Sequence, residues 1–152
     1  SAQAADIEIN MYLEASLPTV WIDENLVGQV IMNMMVNAQH AIEGGGRIMI
    51  RTRQCGDDRR KAPDAEAGSM AEITISDTGC GIPEADLQKI FDPFFTTKGV
   101  GKGTGLGLSV SHGTIEAHGG RIEVSSTVGE GTEFRIYLPL EGSPGGARGT
   151  AQ

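Results

Sequence analysis

The sequence predicts an α+β fold: a mixed, mostly antiparallel sheet of about five strands, covered on one face by three helices. Several segments of strand length alternate apolar and polar residues. In places these segments follow one another directly, without an intervening helix. That order favours antiparallel pairing over a doubly wound parallel sheet. Glycine, at 22 of 152 residues, gathers at segment ends and in one central run. A chain of this length is expected to form one domain, and 39% hydrophobic with 21% charged residues suffices for a soluble core. Its expected limits are 6–140, with 141–152 a flexible tail or linker.

IEINMYLE (7–14) alternates and is expected as the first strand. Leu17 to Trp21 carries a proline, so it is read as a short edge strand or a connector. Asp23 suits the N-cap of a helix over 24–43, stopped by the glycines at 44–46. That helix is expected to bury Leu26, Val27, Val30, Ile31, Met34, Ala38, Ala41 and Ile42. RIMIRTRQ (47–54) and AEITISDT (71–78) read as strands around a polar loop over 54–69. PEADLQKIF (83–91) opens with proline and acidic residues, as a short helix does. After the glycine run, 106–118 is expected as a helix ending at paired glycines. The segments 120–127 and 131–140 form a hairpin around VGEG. No internal repeat is visible.

The formal net charge of −8 argues against a nucleic-acid partner, which calls for a basic face. No segment is long and apolar enough to span a membrane, and no signal peptide is evident. The opening SAQAADIEIN reads as a cut inside a longer chain. Cys55 and Cys80 form no CxxC pair, and no His/Cys cluster suggests zinc. Both are expected as free thiols in a reducing compartment.

Three stretches carry chemistry. On the first helix, Gln29, Asn33, Asn37 and His40 fall within a wedge of roughly 80°. From Leu26 to Ile42 there is no charged residue. Such a stripe is either a solvated face or a ligand-facing one. Neutral amide oxygens suit Mg²⁺, which takes few protein groups alongside phosphate oxygens. In ISDTGCGIP (75–83), Asp77 ends a strand before a turn on Gly79 and Gly81. A carboxylate there can accept the exocyclic amine of adenine, although a self-satisfied Asp-Thr-Gly turn is the simpler reading of the segment alone.

The third stretch is KGVGKGTGLGLS (98–109). It fits neither the P-loop nor the dinucleotide fingerprint, and no protein-kinase motifs follow it. It is either a disordered loop or a flexible phosphate loop running into a helix N-terminus, whose free N–H groups and dipole suit anions. Lys98 and Lys102 add positive charge.

Together these pieces resemble the ATP-binding catalytic domain of sensor histidine kinases, in the superfamily shared with type II topoisomerase ATPases, ninety-kilodalton chaperones and mismatch-repair ATPases. The resemblance runs over 6–140. NMMVNAQHAI (33–42) is similar to the N box, DTGCGIP (77–83) to the first glycine box and IFDPFFTTK (90–98) to the F box. GKGTGLGLS (101–109) is similar to the second glycine box, and GEGTEFRIYLP (129–139) to the final strand motif.

The resemblance implies a Bergerat-type two-layer sandwich with a mobile ATP lid, binding ATP and Mg²⁺. Asn37 would be the Mg²⁺ ligand and Asn33 would line the same catalytic site. His40 would face phosphate. Asp77 would take the adenine amine, with Gly79, Gly81 and Ile82 shaping the base pocket and Thr132 sharing a water with Asp77. Lys98, Lys102, Gly103, Thr104, Gly105, Leu106 and Gly107 would close over the phosphates. Phe91, Phe94 and Phe95 would anchor the lid.

It further implies a protein histidine kinase acting in a two-component phosphorelay in the bacterial cytoplasm. No HExxP-type phosphoacceptor is present, and His40, His112 and His118 lie inside the nucleotide-binding segments. His112 and His118 read as structural. The acceptor is therefore expected on a dimerisation and phosphoacceptor domain of the parent kinase, with a response-regulator receiver domain downstream. The isolated domain is expected to be a monomer without direct membrane contact. The parent is expected to be a homodimer that can be membrane-anchored. Where hydrolytic relatives carry a glutamate that activates water, this chain has Asn33, which cannot act as a base. Negligible hydrolysis is expected. Two other readings stay open: a nucleotide-binding regulatory module without transfer, and an anti-sigma-type serine kinase.

Overall fold

The computed structural model describes residues 6–56, 70–95 and 107–140. The elements run β1 (Ile7–Tyr12), α1 (Glu24–Ala41), β2 (Gly46–Cys55), β3 (Met70–Asp77), α2 (Glu84–Leu87), α3 (Gly107–Ala117), β4 (Arg121–Thr127) and β5 (Gly131–Pro139). The five strands form one sheet in the order β1-β2-β3-β5-β4. β1 is parallel to β2, and every other neighbouring pair is antiparallel. The expected α+β sheet with helices on one face is therefore what the chain forms.

α1 is the crossover that makes the parallel β1–β2 pair possible. It starts where Asp23 caps it, the Asp23 carboxylate accepting the Leu26 N–H at 3.1 Å. Its buried residues are Val27, Val30, Met34 and Ala38. They meet Ile48, Ile75, Phe134, Ile136 and Leu138 of the sheet and Ile115 of α3 in one core.

Leu26, expected in that core, is 50% exposed. At roughly 100° per residue it falls between Asn33 and Asn37 on the helix wheel, on the polar stripe. The helix expected over 83–91 is helical only at Glu84–Leu87. Beyond it, Lys89 N–H bonds the Asp86 carbonyl and Asp92 N–H the Lys89 carbonyl. These three-residue turns tighten the chain out of the α-helical repeat. The proline-bearing connector adds a single antiparallel bridge, Val20 to Leu140.

The outer sheet face carries polar residues in register. Arg53, Glu72, Tyr137 and Arg121 sit side by side across β2, β3, β5 and β4. Glu72 is 4% exposed, yet both its oxygens are used. Arg53 donates to one, and the Tyr137 hydroxyl donates to the other at 2.8 Å. The Arg121 guanidinium lies 4.1 Å from the Tyr137 ring centroid. Burial alone raises the Glu72 carboxyl, but the hydrogen bonds from Arg53 and Tyr137 outweigh it and hold the group below the usual carboxylate range. Burial and the bond to Glu72 push the Tyr137 phenol up to about 12.

Candidate functional site

On the helix-facing side of the sheet the apolar rows end in a polar one. Ile75 pairs with Phe134 and Phe134 with Val124; two residues along, Asp77 pairs with Thr132 and Thr132 with Ser126. Side chains alternate along a strand, so Asp77, Thr132 and Ser126 stand on the face the core residues occupy. The Thr132 and Ser126 hydroxyls are 2.7 Å apart. The Ser126 hydroxyl also accepts the Ile82 N–H at 2.7 Å and approaches the Gly131 carbonyl at 2.9 Å. Ser126 thus ties the turn after β3 to the β4–β5 hairpin. It carries no local sequence signal, because its partner on the turn is 44 residues away.

One Asp77 oxygen accepts the Gly79 N–H at 2.8 Å. This is the self-satisfied turn. Burial raises the Asp77 carboxyl above its ordinary value, against the lowering effect of N–H bonds from Gly79 and Thr132. The turn itself requires glycine. A Cβ on Gly79 would sit 2.6 Å from the Ala41 side chain, and Gly81 has φ +80 with the Thr127 carbonyl where a Cβ would go. Cys80 N–H bonds the Ala41 carbonyl at 2.9 Å. The turn is thereby seated on the last turn of α1, one helical turn beyond Asn37.

The polar stripe of α1 is not uniformly solvated. Gln29 and His40 are exposed, while Asn33 and Asn37 are half-buried. Asn33 faces α3. Its Nδ2 donates to the Ser111 hydroxyl at 3.2 Å and lies 3.5 Å from the Gly107 carbonyl, while its Oδ1 accepts from Gln29 at 3.3 Å. The structure therefore joins Asp77, Gly79, Gly81, Ile82 and Thr132 at one end of α1, and Asn33 with Gly107 along its side. Lys98, Lys102, Gly103, Thr104, Gly105 and Leu106 lie outside the described residues, as do the lid and the tail.

Phe91 and Phe95 pack against the core, and Phe91 lies over the His112 ring at a centroid distance of 5.0 Å. Phe94 does not pack with them. It is 72% exposed and has φ 68, so the chain turns its side chain outward. His112 also lies 3.6 Å from Glu116. His118 Nε2 accepts the Asp23 N–H at 3.0 Å while Nδ1 lies 2.8 Å from the Thr114 carbonyl. Both histidines are held inside the fold. Neither Cys55 nor Cys80 is in a disulfide. Among the described residues no group of three or more His, Cys, Asp or Glu could hold a metal, and no helix is long and apolar enough to cross a membrane.

Comparison with known proteins gives one consistent answer. The family model of histidine kinase-, DNA gyrase B- and HSP90-like ATPases matches residues 22–142. The sensor kinase CckA of Brucella abortus is 45% identical over 137 residues, covering 88% of this chain and 14% of that protein. The sensor histidine kinase ZraS of Salmonella typhimurium is 38% identical over 139 residues, covering 91% of this chain and 27% of that protein. The chain thus spans about a quarter or less of these relatives. Among solved structures, the nucleotide-free catalytic domain of the histidine kinase ThkA superposes with a TM-score of 0.71 at 29% identity, covering 91% of this chain and 82% of that one. A mycobacterial sensor histidine kinase, MprB, superposes with a TM-score of 0.70 at 28% identity, covering 90% and 85%. The chain belongs to the histidine kinase-, DNA gyrase B- and HSP90-like ATPase family, among the relatives of sensor histidine kinase catalytic domains.

Proposed function

We propose that this chain binds ATP with Mg²⁺ and donates the γ-phosphoryl group to a histidine on a separate dimerisation and phosphoacceptor domain of its parent sensor kinase. The observation that supports this reading most is the seating of the Asp77–Gly81 turn on the end of α1. It sets an adenine acceptor beside the helix that carries the amides.

Asp77 accepts the adenine amine, with Thr132 beside it. Gly79, Gly81 and Ile82 let backbone approach the base. Asn37 and Asn33 offer neutral amide oxygens on a helix face without charge, a donor set that fits a metal already carrying phosphate oxygens. Asn37 would hold Mg²⁺, which neutralises phosphate charge when bound. His40 faces the phosphates. Asn33 cannot take a proton from water, so the site positions ATP without hydrolysing it. Residues 6–140 form the catalytic domain, and 141–152 a tail or linker. The parent dimerises through its other domain and passes the phosphoryl group to a response-regulator receiver domain in the bacterial cytoplasm.

The test is to mix the chain with ATP, Mg²⁺ and the dimerisation and phosphoacceptor domain of its parent, and to assay acid-labile phosphate on that domain. Phosphohistidine supports the proposal; no labelling of the correct partner overturns it.

A further inference from the structure

We propose that Ser111 is a positioning residue of this site: its hydroxyl holds the Asn33 carboxamide in the orientation that the Gly107 carbonyl selects, with Oδ1 toward the polar stripe. The inference rests on the reading of the site given above.

The two ends of a carboxamide do opposite work. The oxygen accepts hydrogen bonds and suits a cation. The NH₂ donates and suits an anion. Asn33 is half-buried against α3, and two α3 groups approach it. One is the Gly107 carbonyl, which can only accept. The atom facing α3 must therefore be Nδ2. At 3.5 Å, however, that contact is too long to hold the amide alone. The Ser111 hydroxyl, at 3.2 Å from Nδ2, supplies the second acceptor.

With Nδ2 committed to α3, Oδ1 turns toward Gln29, whose Nε2 donates to it at 3.3 Å. A carbonyl oxygen has two lone pairs, so one acceptor direction remains on the stripe. Ser111 has no exposed surface, so water has little access to take its place.

A serine between two helices can also be there only because it is small. Alanine satisfies packing equally and removes only the hydroxyl, so Ser111→Ala separates the two roles. The readout is the ratio of ATP-analogue affinity in Mg²⁺ to that in EDTA, measured by calorimetry on the purified chain. Left with only the long Gly107 contact, the amide turns its NH₂ outward part of the time, which weakens binding of the metal complex and does not weaken binding of bare triphosphate. The ratio is expected to fall about fivefold, the worth of one ordinary hydrogen bond. Ser111→Cys, of similar size and a weaker acceptor, gives an intermediate ratio. In an Asn33→Ala background, Ser111→Ala leaves the ratio where it is.

An unchanged ratio in both single variants overturns the proposal. So does an equal fall in the Asn33→Ala background, because Ser111 would then act by packing. Failure of the unaltered chain to bind the analogue in either buffer overturns the underlying reading, and this inference with it.

Discussion

Asp77 and Thr132 are direct partners across the β3–β5 ladder, and Thr132 hands the contact on to Ser126 through hydroxyls 2.7 Å apart. Asp77→Asn keeps an oxygen for the Gly79 N–H and turns a donor toward the adenine amine. Nucleotide affinity should fall roughly ten- to a hundred-fold, the worth of a charged hydrogen bond, with little change in melting temperature. Titration calorimetry with an ATP analogue measures it, and unchanged affinity removes Asp77 from the base pocket.

Acidification should reach the same group early. Burial raises the Asp77 carboxyl above its ordinary value. The neutral acid therefore appears at a higher pH than for an exposed aspartate, and nucleotide affinity begins to fall there. As for folding, a raised carboxyl pKa in the native state opposes stability at neutral pH and relaxes as pH falls. Affinity and stability should thus move in opposite directions at this site. Asp77→Asn should flatten the acid limb of the affinity profile, which for the unaltered chain begins above the ordinary aspartate value of 3.8.

Glu72 has the opposite sign. Its native carboxyl sits below the ordinary 4.5, so its contribution is present above that value and is lost as pH drops through the native pKa. Urea midpoints at about pH 7 and about pH 3.5 should differ more for the unaltered chain than for Glu72→Gln. Glu72→Ala, which leaves the Tyr137 hydroxyl without its acceptor, should cost about 2 kcal/mol at neutral pH. Equal pH slopes in the Gln variant would show that the row across the outer face is decorative.

His118 is predicted to be a clasp rather than a phosphoacceptor. Its two nitrogens engage the start of α1 and the last turn of α3. His118→Ala should lower stability by about 1–2 kcal/mol without removing acid-labile phosphate from a labelled partner. Labelled chain that loses its phosphate in this variant would contradict the assignment.

Gly81→Ala should be far worse than a surface substitution. A positive φ and the Thr127 carbonyl both oppose a Cβ there, for a cost of about 2 kcal/mol or more. Chemical denaturation gives the number; a loss under about 0.5 kcal/mol, the range of ordinary surface changes, would mean the turn relaxes freely.

Local patterns made most of the elements legible. Alternation marked the strands, Asp23 marked the start of α1, and paired glycines marked the end of α3. The pairing was less legible, because no local pattern tells β1 that it lies parallel to β2, or β3 that its other neighbour is β5 rather than β4. Leu26 is apolar yet exposed, because its angle on α1 puts it on the polar stripe. Asp77, Gly79, Gly81 and Thr132 could be named from motif wording. Ser111, Ser126 and His118 could not, since their value lies in partners that are 78, 44 and 95 residues away.

Those separations bear on how the site comes into being. Loop closure must be spent before such contacts return anything, so they form late. The Asn33–Ser111 bond closes 78 residues of chain, and the Asp23–His118 bond closes 95. A nascent or partly unfolded chain therefore holds little of this site beyond the local Asp77–Gly79 turn. Ligand affinity reports completion of folding, and a saturating nucleotide stabilises only the finished molecule.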